Sequence, residues 1–513
     1  MTTQLPHAVE AESVGAVPVL SHWIDGRPVD VALEQTGPVF NPATGEVIGR
    51  VPRGGAAEVD AAVAAARAAF PAWRDMPLIA RANIFFNYRA LVYKHREDLA
   101  RLITRDHGKT FPDALAETLR GLETVEFACG LPVNMAGMNT PNVSTNVDTH
   151  TLRQPLGVAA GITPFNFPCM VPMWIYPIAM MTGNTFVWKP SSHTPGATQL
   201  QAELWKEAGL PDGVFNVVYG GREAVNAILV HPGIDAIQFV GSTPVGKHVS
   251  ETGRAHGKRV GAYTGAKNIM LVLPDADLDL VADSAVASGF GSAGERCMAQ
   301  TLVMTVGDVA DRLRPMIVER MARLKVGPGM DKGSDMGPIY SAEHRASVIE
   351  WIEKGVTEGA ELVVDGRPFK HPEHPNGFYL GVTLFDHVTP DMQIYNEEIF
   401  GPVLGMVRVE TFDKALSLIN HHQYGNGTAI FTNDGGAARR FELEVDVPMV
   451  GVNVPIPVPA GYMSFGGTRG SAFADLQMRG EDSVRFFTRQ KEVTVRWPQP
   501  GKHGPLSLVF PGN

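Results

Sequence analysis

Cys297 stands in Gly-Ser-Ala-Gly-Glu-Arg-Cys-Met-Ala (291–299), directly after the apolar run Val281–Phe290. A thiol among small residues is open to a planar electrophile, and its thiolate can add to a carbonyl carbon. A lone cysteine is also an ordinary core group, which is the reading for Cys129 and Cys169 among their apolar neighbours. Gly289-Phe-Gly-Ser-Ala-Gly294 has the form G-x-G-x-x-G. A helical run precedes it and a thiol follows, so it is not a phosphate loop; its glycines are expected to give access to Cys297.

Three further segments carry usable groups. Asn166, in Thr163-Pro-Phe-Asn-Phe-Pro168, is a rigidly held amide that can stabilise an oxyanion, or a turn residue bonding its own backbone. Lys189, in Trp188-Lys-Pro-Ser191, meets a phosphate or ribose, or is a solvated loop lysine. Gly241-Ser-Thr-Pro-Val-Gly246 lets Ser242 or Thr243 cap a helix with Pro244 in its first turn. That helix end either receives a pyrophosphate or is a plain cap.

The elements that must position these groups alternate. Residues 58–70 place Val59, Val63, Ala66 and Phe70 on one helical face, and 80–104 and 113–128 also read as helix. Strands at 158–162, 185–188, 215–219 and 236–240 then alternate with helices near 170–181, 196–207 and 222–230. A second alternating block runs from 269–273 to about 460, with strands at 302–306 and 428–431 and helices near 309–323 and 342–358. Such alternation predicts an α/β fold with parallel sheets covered on both faces. Residues 146–156 and 492–497 alternate polar and apolar outside these blocks and can pair as an exposed β-arm for oligomerisation. Residues 1–20 read as a loose arm.

At 513 residues the chain is expected to form two or three domains. A net charge of −10 argues against nucleic acid, no long apolar run suggests a membrane span, and three cysteines make no disulfide framework. The acidic N-terminus lacks a signal pattern, so the cytoplasm is expected. Asn142-Val-Ser144 and Asn426-Gly-Thr428 match the glycosylation sequon but carry little weight without a secretory signal. No metal site is expected.

PFNFP (164–168), WKPS (188–191), GSTPVG (241–246), TGAKN (264–268), GERC (294–297), NEEIFGP (396–402) and FGG (465–467) occur in an order and spacing that resembles the aldehyde dehydrogenase superfamily from about 20 to 497. The resemblance implies a Rossmann-like cofactor domain (20–138 and 157–266), an α/β catalytic domain (267–475) and an oligomerisation arm (139–156 and 476–513), in dimers or tetramers. It implies Cys297 as nucleophile and Asn166 with the Cys297 N–H as oxyanion donors. Lys189 then meets the adenosine ribose, Ser242 the pyrophosphate, and Glu398 the nicotinamide ribose with Phe400 beside it.

Two departures refine this. The family's general base is a Glu, and its position here is Tyr263, a poor base at neutral pH. The CoA-acylating methylmalonate-semialdehyde branch also lacks this Glu, since coenzyme A needs no water-activating base. Arg120-Gly-Leu-Glu-Thr-Val-Glu126, Glu295-Arg-Cys-Met-Ala299 and Asn453-Val-Pro-Ile-Pro-Val-Pro459 resemble that branch. It implies Arg120 and Arg296 as a carboxylate clamp, where the alternatives are a surface charge for Arg120 and an ion pair with Glu295 for Arg296. Tyr263 is also bulkier than the Asn usual there. Ser192 replaces the acid of Lys-Pro-x-Glu, so NAD is expected with NADP tolerance as a second possibility. The expected reaction is oxidation of methylmalonate or malonate semialdehyde through a Cys297 thioester, with decarboxylation and transfer to CoA giving propionyl-CoA or acetyl-CoA. A hydrolytic enzyme using Glu398 or Glu295 as base, or an idle family member, are the alternatives.

Overall fold

The computed structural model describes residues 17–498. Segments 1–16 and 499–513, which hold most of the expected N-terminal arm and the end of the C-terminal one, lie outside the described residues.

Eight strands form the first sheet, in the order Arg27–Val29, His22–Ile24, Phe215–Val217, Thr185–Lys189, Val158–Ile162, Ala236–Val240, Arg259–Tyr263, Ala472–Phe473. The run from Phe215–Val217 to Arg259–Tyr263 is parallel. The central strands are buried along almost their whole length, which is why they read as apolar runs rather than alternations. Chain order reverses at Val158–Ile162: the next two strands lie on one side of it and Ala236–Val240 on the other. Ligand crevices open at the carboxyl ends of strands at such a switch point. The Asn166 loop and Ser242 both leave the sheet there.

The second sheet runs Glu361–Val364, Thr383–Asp386, Val403–Val409, Gln300–Val306, Asn268–Val272, Gly427–Phe431, Met449–Val452, parallel except at Glu361–Val364. The chain crosses to it directly, from Tyr263 at the end of one strand to Asn268 at the start of the next. The carboxyl edge of the first sheet is thereby joined to the amino edge of the second. That amino edge carries Lys267, Cys297, Glu398 and Asn426.

A third, three-stranded sheet stands apart. Val147–Pro155 pairs antiparallel with Asn139–Ser144 and, from Thr488↔Pro155 to Arg496↔Val147, with Thr488–Arg496. The helix expected over 80–104 is two helices, Leu78–Lys94 and Arg96–His107, broken at His95 (φ −97°, ψ 15°). Glu97 and Asp98 explain the restart, since acids favour a helix N-terminus. Ala472–Phe473, placed by sequence with the catalytic half, pairs with Arg259–Tyr263 in the first sheet. Among the described residues no helix is long and apolar enough to cross a membrane.

Candidate active site

Cys297 follows the Leu278–Phe290 helix through a sharp turn in which Ser292, Ala293 and Gly294 all have positive φ (54°, 53° and 75°). Two asparagine side chains grip its carbonyl, Asn268 Nδ2 and Asn426 Nδ2, each at 3.0 Å. Both Asn268 and Asn426 are buried, so the Asn426 sequon is an internal hydrogen-bonding group. The glycines before the thiol make room for neighbouring groups. Each admits a close neighbour: a Cβ at Gly289 would lie 3.1 Å from Leu404, at Gly291 2.5 Å from Arg296 Nη1, and at Gly294 2.2 Å from the Gly401 carbonyl.

Asn166 is buried, and its Nδ2 donates to the Glu295 carbonyl at 2.9 Å, which holds the amide against the cysteine turn and leaves its second N–H free. Its carbonyl accepts from Lys109 Nζ at 2.5 Å. Lys109 pairs with Glu117 at 2.8 Å, both side chains fully buried, and Glu117 also takes the N–H groups of Cys169 and Met170. This internal ion pair fixes the Thr163–Pro168 loop.

Burial pushes the Cys297 thiol up to about 12, and the nearby Glu398 carboxylate adds to the effect. Burial likewise raises Glu398 to about 7, opposed by the Ala266 N–H that donates to it at 3.0 Å. Gly265 lies between Glu398 and Thr243; a Cβ there would sit 3.0 Å from the first and 2.8 Å from the second. Phe400 has φ 59° and receives a 2.8 Å hydrogen bond from His344 Nε2 at its carbonyl. A bulky residue in that conformation stores strain where a loop is held for function.

Tyr263 does not project a free hydroxyl. The residue is buried, and Oη donates to the Leu476 carbonyl at 2.8 Å. Burial drives its ionisation upward. Glu295 is fully buried, its pKa driven up, with His107 Nε2 3.6 Å away and driven down. Both shifts favour the neutral forms.

The two arginines are engaged. Arg296 Nη2 pairs with Asp113 at 2.7 Å, not with Glu295. Arg120 binds Glu123 at 2.8 Å and the Val458 carbonyl at 3.2 Å, and borders an open cleft of 490 Å³ lined also by Phe127, Gly461 and Tyr462.

Lys189 closes its strand half-buried, and its ammonium has no hydrogen-bond or ion-pair partner among the described residues; desolvation lowers it to about 8. Ser242 is the N-cap of the Thr243–Ala255 helix, yet its side chain caps nothing. An unpaired lysine and open helix N–H groups at a switch point suit the hydroxyls and phosphates of a dinucleotide. Ser192 nearby in sequence brings no charge.

A model of the aldehyde dehydrogenase family matches residues 30–493. The chain belongs to the aldehyde dehydrogenase family. It is thus an oxidoreductase, with the α/β architecture of that family. It is 50% identical to a malonate-semialdehyde dehydrogenase of Pseudomonas aeruginosa, over 96% of this chain and 99% of the relative. A methylmalonate-semialdehyde dehydrogenase structure from Oceanimonas doudoroffii superposes with TM-score 0.93 at 48% identity, covering 94% of this chain and 99% of that one. A structure from Sinorhizobium meliloti 1021, solved with NAD and provisionally described as a methylmalonate-semialdehyde dehydrogenase, gives TM-score 0.93 at 46% identity over 96% and 100%.

Lys109, Glu117, Asn426 and Arg479 lie in or beside the site without a signal in the sequence that marked them for it. Asn268 had one, as the last residue of TGAKN.

Proposed function

We propose that this enzyme oxidises malonate or methylmalonate semialdehyde and passes the acyl group from Cys297 to coenzyme A. The observation that carries the CoA step is Tyr263: its hydroxyl is spent on Leu476, so no base stands there to activate water. The names of the relatives support the substrate.

In this reading the Cys297 thiolate adds to the aldehyde carbon. The free N–H of Asn166 and the Cys297 backbone N–H hold the oxygen that becomes negative. Lys189 and the N-terminus of the Thr243–Ala255 helix hold NAD, with Glu398 at the nicotinamide ribose and Phe400 beside it. Bound there, NAD supplies the acceptor for the hydride that leaves the aldehyde carbon. Cys297 is left as a thioester. Its acyl group carries a carboxylate one carbon away, so carbon dioxide departs, the carbon beside the thioester takes a proton, and CoA thiol displaces Cys297. Malonate semialdehyde gives acetyl-CoA, and methylmalonate semialdehyde gives propionyl-CoA. An uncharged Ser192 leaves NADP as a second acceptor. The β-arm is the element that would join copies into a dimer or tetramer.

One observation favours a hydrolytic alternative: Glu398, near pKa 7 and close enough to influence the thiol, has the strength of a general base. Purified enzyme with malonate semialdehyde and NAD separates the two. Acetyl-CoA formed only when CoA is present supports the proposal; free acid at the same rate without CoA transfers the role to Glu398.

A further inference from the structure

Arg479 is 1% exposed and lies directly before the Gly480–Phe487 helix. Its guanidinium sits 4.6 Å from the Trp174 ring centre and 5.3 Å from that of Phe465. One hydrogen bond holds it, from Nη2 to the Pro459 carbonyl at 3.1 Å. Nε is buried without a partner, and no carboxylate lies within ion-pair distance among the described residues. The backbone is strained to keep the side chain there, with φ 65° on a residue that is not glycine. Buried charges are ordinarily paired, because an isolated one costs its hydration. Even the more exposed Arg296 and Arg120 are paired, with Asp113 and Glu123. Arg479 is not.

Its surroundings are continuous with the core on which the thiol packs. Trp174 and Phe465 are part of the core cluster against which Cys297 packs, and Ile456 and Val458 line the same cluster. The charge of Arg479 and that of Cys297 act on each other: the arginine eases ionisation of the thiol, although desolvation dominates both groups.

We propose that Arg479 is the group that reads the substrate carboxylate, with Trp174 and Phe465 as the walls of its socket. This rests on the reading that the substrate carries a carboxylate. A guanidinium with most of its donors free can take a carboxylate through two parallel N–H bonds, and its incoming partner cancels the desolvation it now bears. An aldehyde without the acid leaves it unpaired and is disfavoured.

Two measurements on Arg479→Met and Arg479→Lys test this. The first is kcat/KM for malonate semialdehyde against propanal. Losing one side of a buried charge pair predicts a fall in that preference of about 30-fold or more in Arg479→Met, carried by KM. Arg479→Lys, which keeps charge but not the fork, should hold an intermediate preference. The second needs no turnover: the rate of Cys297 alkylation by anionic iodoacetate over that by neutral iodoacetamide should fall in Arg479→Met and be largely kept in Arg479→Lys. Equal losses on both aldehydes, or an unchanged alkylation ratio, would overturn the proposal and make Arg479 a prop for the 459–465 wall. A wild-type enzyme inactive on malonate semialdehyde would sink the functional reading, while the alkylation ratio would still report on Arg479.

Discussion

The thiol and one carboxylate set the chemistry of this site at the residue scale. Cys297 is raised to about 12 by burial, with Glu398 as the next cause, and Glu398 itself titrates near 7. As pH climbs through 7 the carboxyl ionises and makes the thiolate harder to form. Alkylation of wild-type Cys297 by iodoacetamide should therefore climb with pH more slowly than tenfold per unit between pH 6 and 8. Glu398→Gln removes the negative charge, so the thiol pKa falls. The variant should react several-fold faster at pH 8 and regain the full slope. Identical profiles would place Glu398 out of reach of the thiol. Cys297, Asn166, Lys189, Ser242 and Glu398 could be named as candidates from the sequence because the motifs that hold them occur together in a family order; each segment alone left a plain structural reading open. Lys109, Glu117, Asn426 and Arg479 could not, because what marks them is a partner, or the want of one, on another element, from 8 to 129 residues away in the chain. The engagement of Tyr263 with Leu476 is of the same kind, set by tertiary packing.

Among the elements, the turn from the Leu278–Phe290 helix to the Gln300–Val306 strand matters most. Three consecutive positive-φ residues aim Cys297, and Gly294 has no room for a side chain against the Gly401 carbonyl. Gly294→Ala should shift the turn and lower kcat by about 100-fold, the loss that follows from moving a nucleophile by about 1 Å. Unchanged kcat would mean that the turn tolerates a different path. The parallel strands were readable as apolar runs bounded by turns, and Val158–Ile162 and Ala236–Val240 have the limits their sequences suggested. The edge strands Arg27–Val29 and Ala472–Phe473 were not, since two or three residues carry no periodicity. The break at His95 escaped for another reason: apolar spacing continues across it, and only the backbone turns.

Across the whole molecule, the carboxyl edge of one parallel sheet meets the amino edge of another, and the dinucleotide-type groups and the thiol are contributed from opposite sides of that seam. The alternation of strands and helices predicted two such sheets. Their meeting depends on the short crossing from Tyr263 to Asn268, the stretch where the chain gives up the usual base. In the proposed reaction oxidation and acyl transfer are separated, with the acyl group parked on Cys297 until a thiol arrives. Acid-quenched enzyme, after mixing with malonate semialdehyde and NAD but no CoA, can be weighed by intact mass spectrometry while NADH is followed. The expected result is one NADH per active site, a mass gain of one acetyl group on Cys297, and discharge to acetyl-CoA when CoA is added. Steady NADH production without CoA, with no adduct on Cys297, would contradict it.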